Sequence, residues 1–200
     1  PLSLGADFVL HSATKYLGGH SDLTAGALIG ASALLAAVAP WRKNLGSSPA
    51  PETAALLARS LRTLEVRVTR QNATAQAIAE VLEKHPRVTR VLYPGLPNFP
   101  GHELACRQMR DFGGMLTIEI AGGESAARAV ADRLQLFVLA PSLGGVESLV
   151  SQPALTSHRD LTPAERARRG ISDGMLRLSV GLEAPADLIA DLEQALAGSG

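Results

Sequence analysis

A stripe of apolar residues at Leu57, Leu61, Leu64 and Val68 recurs at spacings of four, three and four, and Ala75, Ile78 and Leu82 resume it beyond the polar pair Gln71-Asn72. That period belongs to an amphipathic helix. Its start is punctuated by Gly46-Ser47-Ser48-Pro49-Ala50-Pro51, where Ser48 or a neighbour can cap and a proline suits the first turn. Its end is marked by Lys84 and His85, which complement the helix dipole, and by Pro86. The spacing predicts one long helix beginning near residue 52.

Strands and helices are expected on both sides of it. Phe8-Val9-Leu10 reads as a buried strand and Ala25 to Ile29 as a second. Ser32 can cap a short helix from Ala33 to Val38, which Pro40 should break or kink. Beyond the long helix, Val88 to Leu92 and Phe137 to Ala140 read as strands. Leu116, Ile118 and Ile120 share one face of a third, and Leu176, Leu178 and Val180 one face of a fourth. Helices are expected from Glu103 to Met109, from Glu124 to Leu134 and from Pro185 onward, the last with Leu188, Leu192 and Leu196 inward. This alternation is that of an α/β chain.

Composition narrows the function classes. Two hundred residues, 46% of them apolar, can bury one large core or two small ones. Nineteen basic and nineteen acidic residues cancel, so no global field points to nucleic acid or to an anionic membrane. No apolar run approaches the ~20 residues of a membrane span. One cysteine, Cys106, fits a reducing compartment, and the five histidines show no metal-ligand spacing, so no metal is expected.

Chemistry concentrates just after the first strand, in His11-Ser12-Ala13-Thr14-Lys15-Tyr16-Leu17-Gly18-Gly19-His20-Ser21-Asp22. Two hydroxyls flank a lysine at the end of an apolar run, where desolvation favours the neutral, nucleophilic amine. Such an amine condenses with carbonyls, including the aldehyde of pyridoxal phosphate, and Ser12 and Thr14 are then placed to donate to a phosphate. Taken alone, the same hydroxyls are ordinary turn formers. A Ser-x-x-Lys also occurs in serine acyl-transfer enzymes, but the Lys-Thr-Gly they require is absent from the chain.

The string His11 to Asp22 resembles the cofactor-lysine motif of the Cys/Met-metabolism family of pyridoxal-phosphate enzymes, which includes cystathionine gamma-synthase, cystathionine gamma-lyase and methionine gamma-lyase. The resemblance continues in order through Leu61-Arg-Thr-Leu64, Gly101-His-Glu103, Phe112-Gly-Gly114, Ser142-Leu-Gly-Gly-Val-Glu-Ser148 and Leu176-Arg-Leu-Ser-Val-Gly-Leu-Glu183. It implies the C-terminal half of a fold-type I transferase, with the end of the large cofactor domain over residues 1–60, an α+β small domain over residues 61–200, and the long helix that begins near residue 52 bridging the two. It implies pyridoxal 5'-phosphate bound by Lys15, Ser12 and Thr14, with Lys15 also catalytic. Arg177 and Ser142 are then expected at the substrate carboxylate, and His20 and His158 as structural hydrogen-bonding groups.

The family's other cofactor contacts, including an aspartate at the pyridine nitrogen and a phosphate loop, come from residues upstream of the lysine motif, so the chain by itself is expected to be inactive. Pro141 stands where many relatives carry a glutamate, and Ala140-Pro-Ser-Leu-Gly-Gly-Val-Glu-Ser148 is most similar to the synthases. The implied reaction is γ-replacement on an activated homoserine ester by cysteine, giving cystathionine. The alternatives are γ-elimination from cystathionine or methionine, and a noncatalytic fragment or subunit that keeps the fold. Small amino-acid substrates, a cytoplasmic location and a homotetramer built as a dimer of dimers complete what the resemblance implies.

Overall fold

The computed structural model describes residues 1–198, which divide between Leu64 and Glu65 into two compact units. The first contains an antiparallel ribbon of β1 (Phe8–Ser12) and β2 (Gly26–Gly30), registered from Phe8 opposite Gly30 to Ser12 opposite Gly26. A wide turn, Ala13–Leu17, leaves the end of β1, and helices α1 (Ser32–Asn44) and α2 (Pro51–Leu61) follow β2. The expectation of a buried first strand is corrected here: Leu10 is 77% exposed, and Val9 alone among the β1 residues is half-buried. Two strands form one layer, and an apolar run is buried only when a second layer covers it.

Pro40 does not break α1, which runs from Ser32 through it to Asn44. A proline removes the bond to the carbonyl four residues back, and the turns on either side remain bonded, as in Leu35 N–H to Ala31 O and Leu45 N–H to Trp41 O. The single long helix is also corrected. α2 ends at Leu61 and α3 (Leu64–Leu82) begins after Arg62 and Thr63. At this break the N–H groups of Arg62 and Thr63 turn to carbonyls three residues back, and the Thr63 hydroxyl donates to Ser60 O at 3.2 Å. A side-chain hydroxyl competing for a backbone carbonyl tightens the turn, and the apolar stripe does not register this.

The second unit continues with β3 (Val88–Leu92), α4 (His102–Gln108), β4 (Met115–Ile120), α5 (Gly123–Arg133), β5 (Val138–Leu139), β6 (Leu149–Ser151), α6 (Pro163–Arg168), β7 (Met175–Ser179) and α7 (Pro185–Ala197). Its five strands lie in the order β3-β4-β7-β6-β5, antiparallel except for the parallel pair β5 and β6. Leu116, Ile118 and Ile120 of β4 and Leu176 and Leu178 of β7 point to one side. There they pack with Ile78 and Leu82 of α3, Val130 of α5 and Leu188, Leu192 and Leu196 of α7. Burial of each such side chain is worth about 1.5–3 kcal/mol. With Leu176 and Leu178 committed to this core, strand alternation places Arg177 on the opposite face. Among the described residues, no helix is long and apolar enough to cross a membrane.

Candidate active site

In the first unit the Lys15 turn is built by its backbone. Gly18 N–H donates to Ala13 O five residues back at 2.8 Å, and Gly19 N–H donates to Lys15 O at 2.7 Å. Wide turns of this kind recur at functional sites. Lys15 itself has φ −89° and ψ −130°, outside the helical region, and is half-buried. Gly18 is required by contact, since a Cβ there would stand 2.7 Å from Ala13 O. The His20 Nδ1–H donates to Gly18 O at 2.7 Å, and the Ser60 hydroxyl lies 3.2 Å from the same nitrogen. The carbonyl can only accept, so Nδ1 carries the proton. His20 therefore holds the turn in place through its backbone, a structural task.

Ser12 lies exposed at the last position of β1. Thr14 is differently placed. Its N–H and hydroxyl both donate to Ala25 O, at 3.1 and 3.3 Å, and the hydroxyl oxygen accepts from Ala25 N–H at 3.1 Å. Thr14 thus clamps the turn to the chain entering β2. Its hydroxyl proton can serve another acceptor by leaving the longer bond while the Ala25 N–H contact persists. A primary amine with neighbouring hydroxyls suits an aldehyde that carries a phosphate.

In the second unit, Arg177 stands between Thr117 of β4 and Ser151 of β6 in the sheet. Its Nη2 donates to Ser142 O at 2.8 Å, while its buried Nε has no hydrogen-bond partner among the described residues. Burial lowers the guanidinium pKa, and the group remains a cation at neutral pH. Pro141, Ser142 and Arg177 line a cavity of about 470 Å³ together with Leu155, Thr156, Ser157, Arg159 and Asp160. Ser142 has φ 96°, a conformation that costs a residue bearing a Cβ about 1–3 kcal/mol and is kept only where its surroundings impose it.

Those surroundings are residues that sequence reasoning left without a role. Ser179 Oγ accepts from Gly144 N–H at 2.9 Å, and Gln71 of α3 donates to Gly145 O at 2.7 Å. Leu182 N–H donates to Val146 O at 2.8 Å. The Glu183 carboxylate accepts from both the N–H and the hydroxyl of Ser148 at 2.8 Å, and Ser148 Oγ accepts from Gly181 N–H at 2.8 Å. The two motifs, Ser142–Ser148 and Leu176–Glu183, are therefore one construction. Buried polar residues inside apolar strands, such as Ser179 at 1% exposure, were the available signal. His158 contacts the neighbouring Ser157 hydroxyl at 2.8 Å, a local hydrogen bond outside this construction. Among the described residues there is no group of three or more metal-ligating side chains.

Residues 1–197 match the family model described as Cys/Met metabolism PLP-dependent enzyme. The chain is 49% identical over 198 residues to cystathionine beta-lyase of Coxiella burnetii, across 98% of the chain and 51% of that relative. It is 49% identical over 201 residues to L-methionine gamma-lyase of Pseudomonas putida, across 100% of the chain and 50% of the relative. A solved structure of cystathionine gamma synthase from Xanthomonas oryzae pv. oryzae, in complex with aminoacrylate and cysteine, superposes with a TM-score of 0.95 at 48% identity, covering 100% of the chain and 52% of that structure. The chain spans about half the length of the curated relatives it matches.

Proposed function

The chain belongs to the Cys/Met metabolism family of PLP-dependent enzymes, and from that premise we propose that it supplies the covalent anchor and the substrate-carboxylate receptor of a γ-replacement enzyme, which joins cysteine to an activated homoserine ester to give cystathionine. Pyridoxal 5'-phosphate, when bound, supplies the electron sink for this chemistry. The amine and hydroxyls of the Ser12–Lys15 segment suit it: Lys15 Nζ as its covalent attachment, and the Ser12 and Thr14 hydroxyls as donors to its phosphate. Lys15 Nζ, once released, takes and returns protons at the substrate's α- and β-carbons. Arg177, with Ser142 beside it, binds the α-carboxylate and so fixes which bonds at Cα are aligned to break.

The observation that carries the reading is Arg177. A half-buried guanidinium held by one backbone carbonyl, with its Nε unpartnered and its group on a cavity wall, is an anion receptor with donors to spare. Pro141 on the same wall puts no carboxylate beside the substrate side chain at that position, as in the synthases, and this supports replacement over elimination. The P. putida relative, named for γ-elimination at 49% identity, favours the second reading, in which methionine or cystathionine is cleaved. The full-length holoenzyme given a homoserine ester, cysteine and methionine at matched concentrations decides between them. Cystathionine is the expected main product, and dominant 2-oxobutanoate from methionine would assign the enzyme to elimination. A tetramer and a cytoplasmic location belong to the same proposal, and light scattering on the full-length protein measures the first.

A further inference from the structure

The Nε of Arg177 is buried, where a carboxylate entering the cavity does not reach it, and it has no partner among the described residues. A buried N–H on a charged group is costly to leave unpaired, so its partner has to come from the protein side. Strand register offers two side chains on the same face, Thr117 of β4 and Ser151 of β6, each directly across from Arg177. Thr117 is half-buried and open to water. Ser151 is 2% exposed, and its hydroxyl is itself buried and without a partner among the described residues. Side chains so opposed have Cβ atoms about 4.5–5.5 Å apart, close enough for a donor on one to meet an acceptor on the other. The backbone that carries Ser151 is fixed on both sides. Val150 packs into the core opposite Leu178, and its carbonyl accepts from Ala140 N–H at 3.1 Å. Gln152 donates to Asp173 O at 2.9 Å and to Glu124 O at 3.3 Å. The Ser151 hydroxyl therefore has a fixed place and gives the fold no bond, a burial that costs stability.

We propose that Ser151 is a positioning residue for Arg177, its hydroxyl oxygen accepting from Nε–H as a substrate carboxylate engages the guanidinium. The proposal rests on the reading of Arg177 as a carboxylate receptor. Nη2 is already held by Ser142 O at 2.8 Å. The fork made by Nε and Nη2 is then taken by two serines of the chain, and the guanidinium plane is fixed. What is left for the carboxylate is the fork between Nη1 and Nη2, which binds it bidentately. Because the Ser151 contact forms with the substrate, its energy enters substrate affinity and not the stability of the unliganded fold.

The test uses the full-length holoenzyme with the homoserine ester as substrate. Ser151→Ala should raise KM for the ester about fivefold, with kcat and the cofactor absorbance unchanged and no fall in the urea midpoint. The same substitution made together with Arg177→Lys, which keeps a cation and lacks the Nε–H, should raise KM no further. A serine that only packs in the sheet would lower the midpoint and act equally in both backgrounds. That result, or an unaltered KM in Ser151→Ala, would overturn the proposal. In a crystal structure of the holoenzyme with bound glycine, Ser151 Oγ should lie within about 3.2 Å of Arg177 Nε, with the carboxylate across Nη1 and Nη2. A carboxylate seated on Nε would also overturn it. An unaltered KM in Arg177→Ala withdraws the carboxylate reading itself, whereas a raised KM there beside an unaltered one in Ser151→Ala withdraws Ser151 alone.

Discussion

Substitution of Lys15 by alanine in the full-length holoenzyme should remove the visible absorbance of the lysine-bound cofactor and nearly all turnover. Borohydride treatment of the unsubstituted protein should fix the cofactor on Lys15, and a peptide map that placed it on Lys43 or Lys84 would withdraw the role given to the Ser12–Lys15 segment. Arg177 carries a different expectation, because the proposed function places it at the substrate and not at the cofactor. Arg177→Ala should raise KM for amino-acid substrates by an amount worth about 2–5 kcal/mol while the cofactor absorbance persists. Arg177→Lys should recover part of the loss, since a point charge replaces a planar fork. Unchanged kinetics in the alanine variant would leave Arg177 with its contact to the Ser142 carbonyl and nothing more. Ser12, Lys15 and Arg177 were legible as residue types within short motifs. The double engagement of Thr14 with Ala25 was not, because eleven positions separate them and only the ribbon's register brings them together.

At the scale of elements, the loop beside Arg177 depends on Gly181. A Cβ at that position would meet Val146 O at 2.4 Å and Glu147 C at 2.6 Å, both backbone atoms that can yield only if the loop moves. Gly181→Ala should cost about 1–3 kcal/mol in a urea melt, and should also raise substrate KM if the loop positions Ser142. Asp191 of α7 ties down the turn after α5. It accepts from the N–H groups of Gln135 and Leu136 at 2.8 Å and of Phe137 at 3.2 Å. Burial raises its pKa, but these donors and Gln194 outweigh that and hold the carboxyl below its ordinary value of 3.8. A depressed folded pKa contributes stability above the ordinary value and loses it as pH falls through the folded one. Asp191→Asn should therefore destabilise most near neutral pH, by about 1–3 kcal/mol. Its deficit should shrink below pH 3.8, and a constant deficit across pH would contradict the assignment. Strand faces were legible from alternation alone, but α6, opened by the Thr162-Pro163-Ala164-Glu165 capping box, was not among the expected helices. The break at Arg62-Thr63 and the three-residue β6 were not legible either, since neither interrupts an apolar period.

For the whole molecule, the two units differ in what they bury. Among the described residues the buried apolar side chains of the first unit are Ala13 and Leu23, while the continuous core lies between Ala75 and Leu196. In the first unit Leu10, Trp41 and Leu45 are 77, 66 and 72% exposed, and a cavity of about 810 Å³ opens between β2 and α1. Expressed separately, residues 65–200 should unfold cooperatively in urea, whereas residues 1–64 should bind a hydrophobic dye and show no sharp transition. Cooperative unfolding of the shorter piece would show that its apolar surface is compatible with an independent fold.

Short-range regularities carried most of what the sequence determined. Periods of two and of three to four fix which face of a strand or helix is apolar, turn residues mark element ends, and the Ser12–Lys15 and Leu176–Gly181 strings carry the resemblance to the family. Tertiary structure decided what depends on distant partners. β1 is exposed because the ribbon is a single layer, which an apolar run cannot report. The Ser142 loop is held by Gln71, Ser179 and Glu183 because sheet register and the packing of α3 bring those side chains to it. Arg159 and Asp160 reach the Arg177 cavity through a loop whose course is set by hydrogen bonds and has no periodicity of its own. Their placement was therefore fixed by the folded chain and by no pattern along it.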